Sequence, residues 1–164
     1  MTLRPLLLLL LVLTISLPAA AASPVPAPRR IELRVAGVDA RVRPLACGIA
    51  RLPDGRVYDW RCTDVSNRVL LAHAWGAFHA LSRAYDRGVL TRGRILRVTG
   101  RDGVVRRYRL RWARVMTRDF TIRGVSWWGR AFGPTAVPSI TLVTCRGATS
   151  NRRLVVRFEL VPSR

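Results

Sequence analysis

Cys145 closes a run of strand-forming residues, "SITLVTC" (139–145), in a chain whose cysteine count is odd: Cys47, Cys62 and Cys145. Cys47 and Cys62 flank the stretch "GIARLPDGRVYDWR", where Pro53-Asp54-Gly55 is a turn signal. A disulfide between them closes a short loop, worth about 3 kcal/mol in the chain-entropy view. Parity then leaves Cys145 unpaired. A thiol nucleophile needs a group that moves protons and a donor that stabilises an oxyanion. Only His73 and His79 can supply imidazole. His73 ends the apolar run "RVLLA" (68–72), where a strand-end side chain can point across a groove, whereas His79 falls inside a helical stretch. The segment "TCRGATSNRRLVV" reads as a strand, a polar loop and a returning strand. Antiparallel pairing sets the start of the second beside the end of the first, which brings Arg152 or Arg153 near Cys145 and sends Arg146 to the other side. Leu154, Val156 and Phe158 alternate with Arg153, Val155 and Arg157, so an inward Leu154 points Arg153 outward over the sheet.

The elements that must hold these residues are mostly strands. "IELRVAG" alternates through Ile31, Leu33 and Val35, and "ARVRPLA" follows after a short turn. "AFHALSRAYDRG" (77–88) is the one convincing helix, with Phe78, Leu81 and Tyr85 on one face and Gly88 as its C-terminal stop. "RILRVTG", "RDG" and "VVRRYRLRWARVM" predict a hairpin with Tyr108, Leu110 and Trp112 on one face and Arg107, Arg109 and Arg111 on the other. Residues 117–138, rich in Gly, Pro and Trp, read as irregular, and "ITLVT" and "RLVVRFEL" close the chain. Short strands with one or two short helices predict an all-β fold, a closed barrel of about eight strands.

Residues 1–22 read as a signal peptide or an N-terminal membrane anchor: Arg4, an apolar run from Leu6, Pro18, then alanines. Residues 23–30 read as a proline-rich spacer and 31–164 as the folded domain. That places the domain outside the cytoplasmic membrane, where disulfides persist. The net charge is +20, and all 29 basic residues are arginine, spread along the chain. Such charge suits an anionic envelope surface, although an arginine-only surface is also what a GC-rich genome writes. Nucleic acid is not expected as a partner. No cofactor or metal is expected either, because the nine carboxylates are scattered and the two histidines lack the spacing of a zinc site.

"TLVTC" (141–145), followed by a short loop and "RLVV" (153–156), resembles the sortase signature. Upstream, "LLAHAWGAFHALSRAYDRGVLTRGRILRV" is similar to the sortase histidine segment, with Ala72 where that family has glycine and no acidic residue in "TRGRI". The resemblance covers about residues 31 to 161. It implies a sortase barrel and a cysteine transpeptidase with Cys145 as nucleophile, His73 as acid and base, and Arg153 as oxyanion or peptide donor. Thr144, Trp127 and Trp128 are the candidate substrate-binding residues. The implied substrates are exported proteins carrying an LPxTG-like sorting motif, and the implied acceptor is a peptidoglycan or pilin amine, with water giving hydrolysis. Other thiol enzymes fit less well: no His-Gly precedes Cys145, and the histidine precedes the cysteine. The competing reading is an inactive or hydrolytic sortase-fold module whose arginines and tryptophans grip an anionic envelope polymer.

Overall fold

A computed structural model describes residues 24–49, 51–146 and 151–162. The expected leader or anchor, residues 1–22, lies outside the described residues. The strands are β1 (Pro28–Leu33), β2 (Val38–Leu45), β3 (Val57–Trp60), β4 (Asn67–Ala72), β5 (Ile95–Gly100), β6 (Val105–Thr117), β7 (Thr121–Ile122), β8 (Val125–Ser126), β9 (Ser139–Arg146) and β10 (Arg152–Leu160). The helices are α1 (His79–Asp86) and α2 (Trp128–Phe132), with a 3-10 turn at Arg34–Ala36. Eight strands close a barrel in the order β1-β2-β3-β4-β9-β10-β6-β5, as expected, and β7-β8 form a separate hairpin. Two neighbouring pairs are parallel, β2 with β3 and β4 with β9.

Alternation fills the barrel. Ile31 and Leu33 of β1, Leu70 of β4, Leu142 of β9, and Leu154, Val156 and Phe158 of β10 join one buried core. Phe78, Leu81 and Ala84 bring α1 into that core. Full burial of a Phe or Leu side chain is worth about 1.5–3 kcal/mol, which fixes the helix on the barrel. Gly88 follows α1 with φ 70°, the left-handed conformation expected of its C-terminal stop.

β4, β9 and β10, and the C-terminal part of β6, also bury outer-face residues. Val69, Met116, Val143 and Val155 form a second apolar layer with Ala131 and Phe132 of α2, flanked by Trp60, Leu71 and Phe120. Such a sheet is apolar on both sides, which explains the unbroken "SITLVT".

Four local expectations change. β1 stops at Leu33, so Val35 lies in the 3-10 turn and not in a strand. β3 lies within the stretch read as turn-rich. Trp112 does not share a face with Tyr108 and Leu110. β10 pairs Arg157 with Trp112 but Phe158 with Leu110, leaving Arg111 as an extra residue. That bulge turns Trp112 to the outer layer while Tyr108 and Leu110 stay inside. Finally, residues 24–27 of the expected spacer dock on the barrel. Val25 is buried, its N–H donates to the Val65 carbonyl (2.8 Å), and its own carbonyl accepts from Arg68 Nε (3.1 Å).

Candidate active site

The sheet register brings the chemistry-bearing residues together. β9 and β10 pair Cys145 directly with Arg153, and β4 and β9 pair Ala72 with Thr144. Directly opposed residues share a face, so Cys145 and Arg153 project to the same side with Cβ atoms about 5 Å apart. That side carries Val143 and Val155, not the core residue Leu154, as the alternation required. His73 leaves β4 one residue beyond Ala72, as Cys145 stands one residue beyond Thr144. His73, Cys145 and Arg153 all line one open cavity of about 380 Å³. Cys145 is a free, half-buried thiol. Arg153 also donates to the Arg152 carbonyl (3.0 Å).

Arg146 turns away from the cavity. Its guanidinium pairs with Asp86 and lies over the Tyr85 ring at 4.9 Å, both on α1. Arg152 stands opposite Arg146, is exposed, and does not line the cavity. His79 opens α1 on its exposed side and is likewise outside the cavity.

His73 is held from two sides. Its Nε2 lies 3.2 Å from the Leu52 carbonyl oxygen. A carbonyl only accepts, so this nitrogen carries a proton and donates it to Leu52. Trp75 stacks on the imidazole at 4.7 Å and 16°. Leu52 belongs to the β2–β3 loop, and Cys47 and Cys62 at the two ends of this region are joined, with Cα atoms 5.0 Å apart. The same loop presses Gly55 against Gly76, where an added Cβ would meet the Gly55 oxygen at 2.4 Å, and the Ala77 N–H donates to that oxygen (2.8 Å). The disulfide therefore staples the loop whose backbone holds the histidine turn.

Opposite these polar groups stands an aromatic wall. Trp60, Phe120, Trp128 and Phe132 line the cavity and pack on one another, with Phe120 and Phe132 edge to face at 4.6 Å and Trp128 and Phe132 tilted at 52° and 4.5 Å apart. Of the expected substrate-binding residues, Trp128 is in this wall and half exposed. Trp127 is not; it packs on Trp112 at 5.9 Å and under the Arg130 guanidinium at 5.1 Å. Thr144 lines the cavity but is only 2 % exposed, and its hydroxyl has no hydrogen-bond partner among the described residues.

A buried polar network underpins the wall. Arg157, 5 % exposed, donates from Nε to Thr141 Oγ1 (2.7 Å) and from one terminal nitrogen to the carbonyls of Arg130 (2.7 Å) and Ala131 (2.9 Å). Thr141 donates to Asn67 Oδ1 (2.9 Å), and Asn67 Nδ2 donates to the carbonyls of Ala131 (3.1 Å) and Gly133 (3.0 Å). The cation thus meets the carbonyl ends of α2, where the helix dipole favours positive charge. Burial pushes the Arg157 guanidinium down to about 10. The sequence announces none of this, because Asn67, Thr141 and Arg157 meet only through the β4-β9-β10 pairing. Phe120 and Phe132 have a weak signal, the density of aromatics in the Gly- and Pro-rich segment, and Trp60, on the short strand β3, has none. Among the described residues, no three His, Cys, Asp or Glu side chains converge on a metal-sized site.

No family model matches the sequence, and no curated protein does. Solved structures do. Sortase A from Corynebacterium diphtheriae is 14 % identical with a TM-score of 0.64, over 87 % of this chain and 64 % of that one. A Clostridium perfringens sortase D5 transpeptidase is 14 % identical with a TM-score of 0.62, over 86 % and 82 %. Clostridium perfringens sortase C, solved with the C-terminal cell wall sorting motif, is 18 % identical with a TM-score of 0.60, over 86 % and 74 %. The chain is a divergent member of the sortase fold.

Proposed function

We propose that the protein is a sortase-type cysteine transpeptidase with Cys145, His73 and Arg153 as its catalytic residues. The observation that carries this reading is the direct pairing of Cys145 with Arg153 across β9 and β10, in one cavity with His73. The Cys145 thiol passes its proton to His73, and the resulting thiolate attacks the scissile carbonyl of an LPxTG-like motif, forming the S–C bond and placing negative charge on the carbonyl oxygen. Arg153 donates to that oxyanion. As the intermediate collapses, the C–N bond breaks and His73 gives a proton to the departing amine, leaving a thioester on Cys145. An incoming amine then attacks the thioester, loses its proton to His73 and expels the thiolate. Water in its place gives hydrolysis.

The aromatic wall suits the apolar side chains of such a motif, and α2 and the turn between β6 and β7 supply most of it. The Cys47–Cys62 disulfide supports an oxidising location outside the cytoplasmic membrane. Exported proteins with a sorting motif and an envelope or pilin amine are the proposed partners. Among the described residues no helix is long and apolar enough to cross a membrane, and residues 1–22 are the proposed signal peptide or anchor. The test is incubation with a panel of sorting-motif peptides, read by mass spectrometry for an acyl adduct on Cys145. A folded protein that never acquires the adduct, with a thiol inert to methanethiosulfonate, would favour the non-catalytic module suggested by the +20 charge.

A further inference from the structure

Arg94, Arg97, Arg107 and Arg109 are exposed on and beside the outer face of β5 and β6. None of the four has an ion-pair partner among the described residues. Their neighbours do. Arg30 binds Asp39, Arg34 binds Glu32, Arg106 binds Asp102, and Arg111 reaches Glu159. Arg97 and Arg107 stand directly opposite each other across β5 and β6, a like-charge pair that repels. Arg30 and Arg41 oppose each other in the same way across β1 and β2, but there Asp39 relieves the conflict. Glu32 faces Arg97 across β1 and β5, yet its carboxylate is held by Arg34 at 2.5 Å.

Two clefts open on this face and share Ile95 and Arg107. One, of about 240 Å³, gathers Arg34, Arg94, Arg97 and Arg107 with the single carboxylate of Glu32; the other, of about 790 Å³, gathers Arg107 and Arg109 beside Val105 and Leu160. A path through both crosses the strands, which lie about 4.8 Å apart. Guanidinium groups at that spacing can fork onto successive phosphates of one chain.

We propose that this face is a binding site for a linear phosphate polymer of the cell envelope, which runs across β5 and β6 and supplies the missing counter-charge. A chain fits better than a bilayer, because the face is the convex wall of a closed barrel and its charge lines clefts. β5 lies four places from β4 in either direction round the barrel, and Arg107 and Arg109 lie at the end of β6 away from Met116, the partner of Arg153, so the bound polymer stays clear of the cavity and leaves Cys145 open. The site does not depend on catalysis.

The probe is inorganic polyphosphate, titrated at several salt concentrations against the Cys145→Ala protein. Two variants are compared on that background. One carries Arg94→Gln, Arg97→Gln, Arg107→Gln and Arg109→Gln; the other carries Arg41→Gln, Arg83→Gln, Arg87→Gln and Arg118→Gln, an equal charge loss on exposed arginines elsewhere. The first should lose at least tenfold in affinity and about 3 in the slope of log K against log salt; the second should lose far less. Equal losses would show diffuse attraction and overturn the site. Binding confined to phosphatidylglycerol vesicles, with none to polyphosphate, would overturn the polymer. Arg97→Gln alone should raise the melting temperature without polymer and should not do so with polymer bound. No rise in the free protein would show that the pair carries no unmet charge, and would also count against the site.

Discussion

Cys145 and Arg153 face each other across the β9–β10 ladder, while Arg152, one residue earlier, faces Arg146. Consecutive strand residues point to opposite sides, so only Arg153 shares the thiol's side. Arg153→Lys should lose most peptide cleavage, because a single ammonium replaces a planar, forked donor. Arg152→Lys should stay near wild type. Steady-state kinetics on one sorting-motif peptide checks this, and the reverse ranking would move the role to Arg152.

His73 and His79 separate as cleanly. His73 lines the cavity, held by Leu52 and Trp75, while His79 is on the exposed side of α1. His73→Ala should lower turnover by about 10²–10⁴, the range of a lost proton-transfer group. His79→Ala should change it little. Equal losses would mean that His73 acts only as packing beside Trp75, or that His79 reaches the substrate.

Arg157 positions α2 and never touches the cavity. Arg157→Met takes the side-chain donor from the Arg130 carbonyl and leaves the Ala131 carbonyl with Asn67 alone, which should cost about 1–3 kcal/mol of stability. The wall formed by Trp128 and Phe132 should loosen. The expected signature is a raised KM with kcat largely kept, together with faster trypsin cleavage after Arg130. Arg157→Lys should restore part of both. An unchanged KM in a folded Arg157→Met protein would confine the network to stability.

Asp59 gives the pH dependence a readable sign. It is 3 % exposed, Oδ1 has no hydrogen-bond partner among the described residues, and Arg68 is 3.7 Å away. Burial raises its carboxyl above the ordinary value, against the opposing pull of Arg68, Arg61 and Arg101. The folded chain therefore holds this proton more tightly than the unfolded chain. Its contribution to stability grows as pH falls through the raised value, and at neutral pH the buried charge counts against folding. Asp59→Asn should be the more stable protein at pH 7, with an advantage that fades as pH drops into the carboxylate range. A loss of stability at pH 7 would show that attraction to Arg68 outweighs burial.

The alternation in "RLVVRFEL" is enough to place Arg153 outside the barrel, because strand periodicity is local and burial of Leu154 and Val156 enforces it. The cysteine pairing is legible for a similar reason: three thiols and one turn leave few arrangements. The side Trp112 takes is not legible, because a bulge at Arg111 depends on the partner strand β10, which periodicity within β6 does not sense. β3 was hidden because its four residues sit between turns and gain their stability from β2 and β4. The Asn67–Thr141–Arg157 network is illegible for a deeper reason. Its members come from three strands and answer carbonyls of a five-residue helix, a match that exists only once the barrel has closed.

The central claim is that Cys145 is an acyl-forming nucleophile, and one measurement addresses it directly. The protein is mixed with a sorting-motif peptide, quenched in acid, and mapped by mass spectrometry alongside Cys145→Ala. The expected result is the mass of the peptide's N-terminal acyl fragment on the tryptic peptide containing Cys145, absent in the variant and cleared by added hydroxylamine. Cleavage that persists in folded Cys145→Ala, or an acyl adduct on any other residue, would contradict the claim.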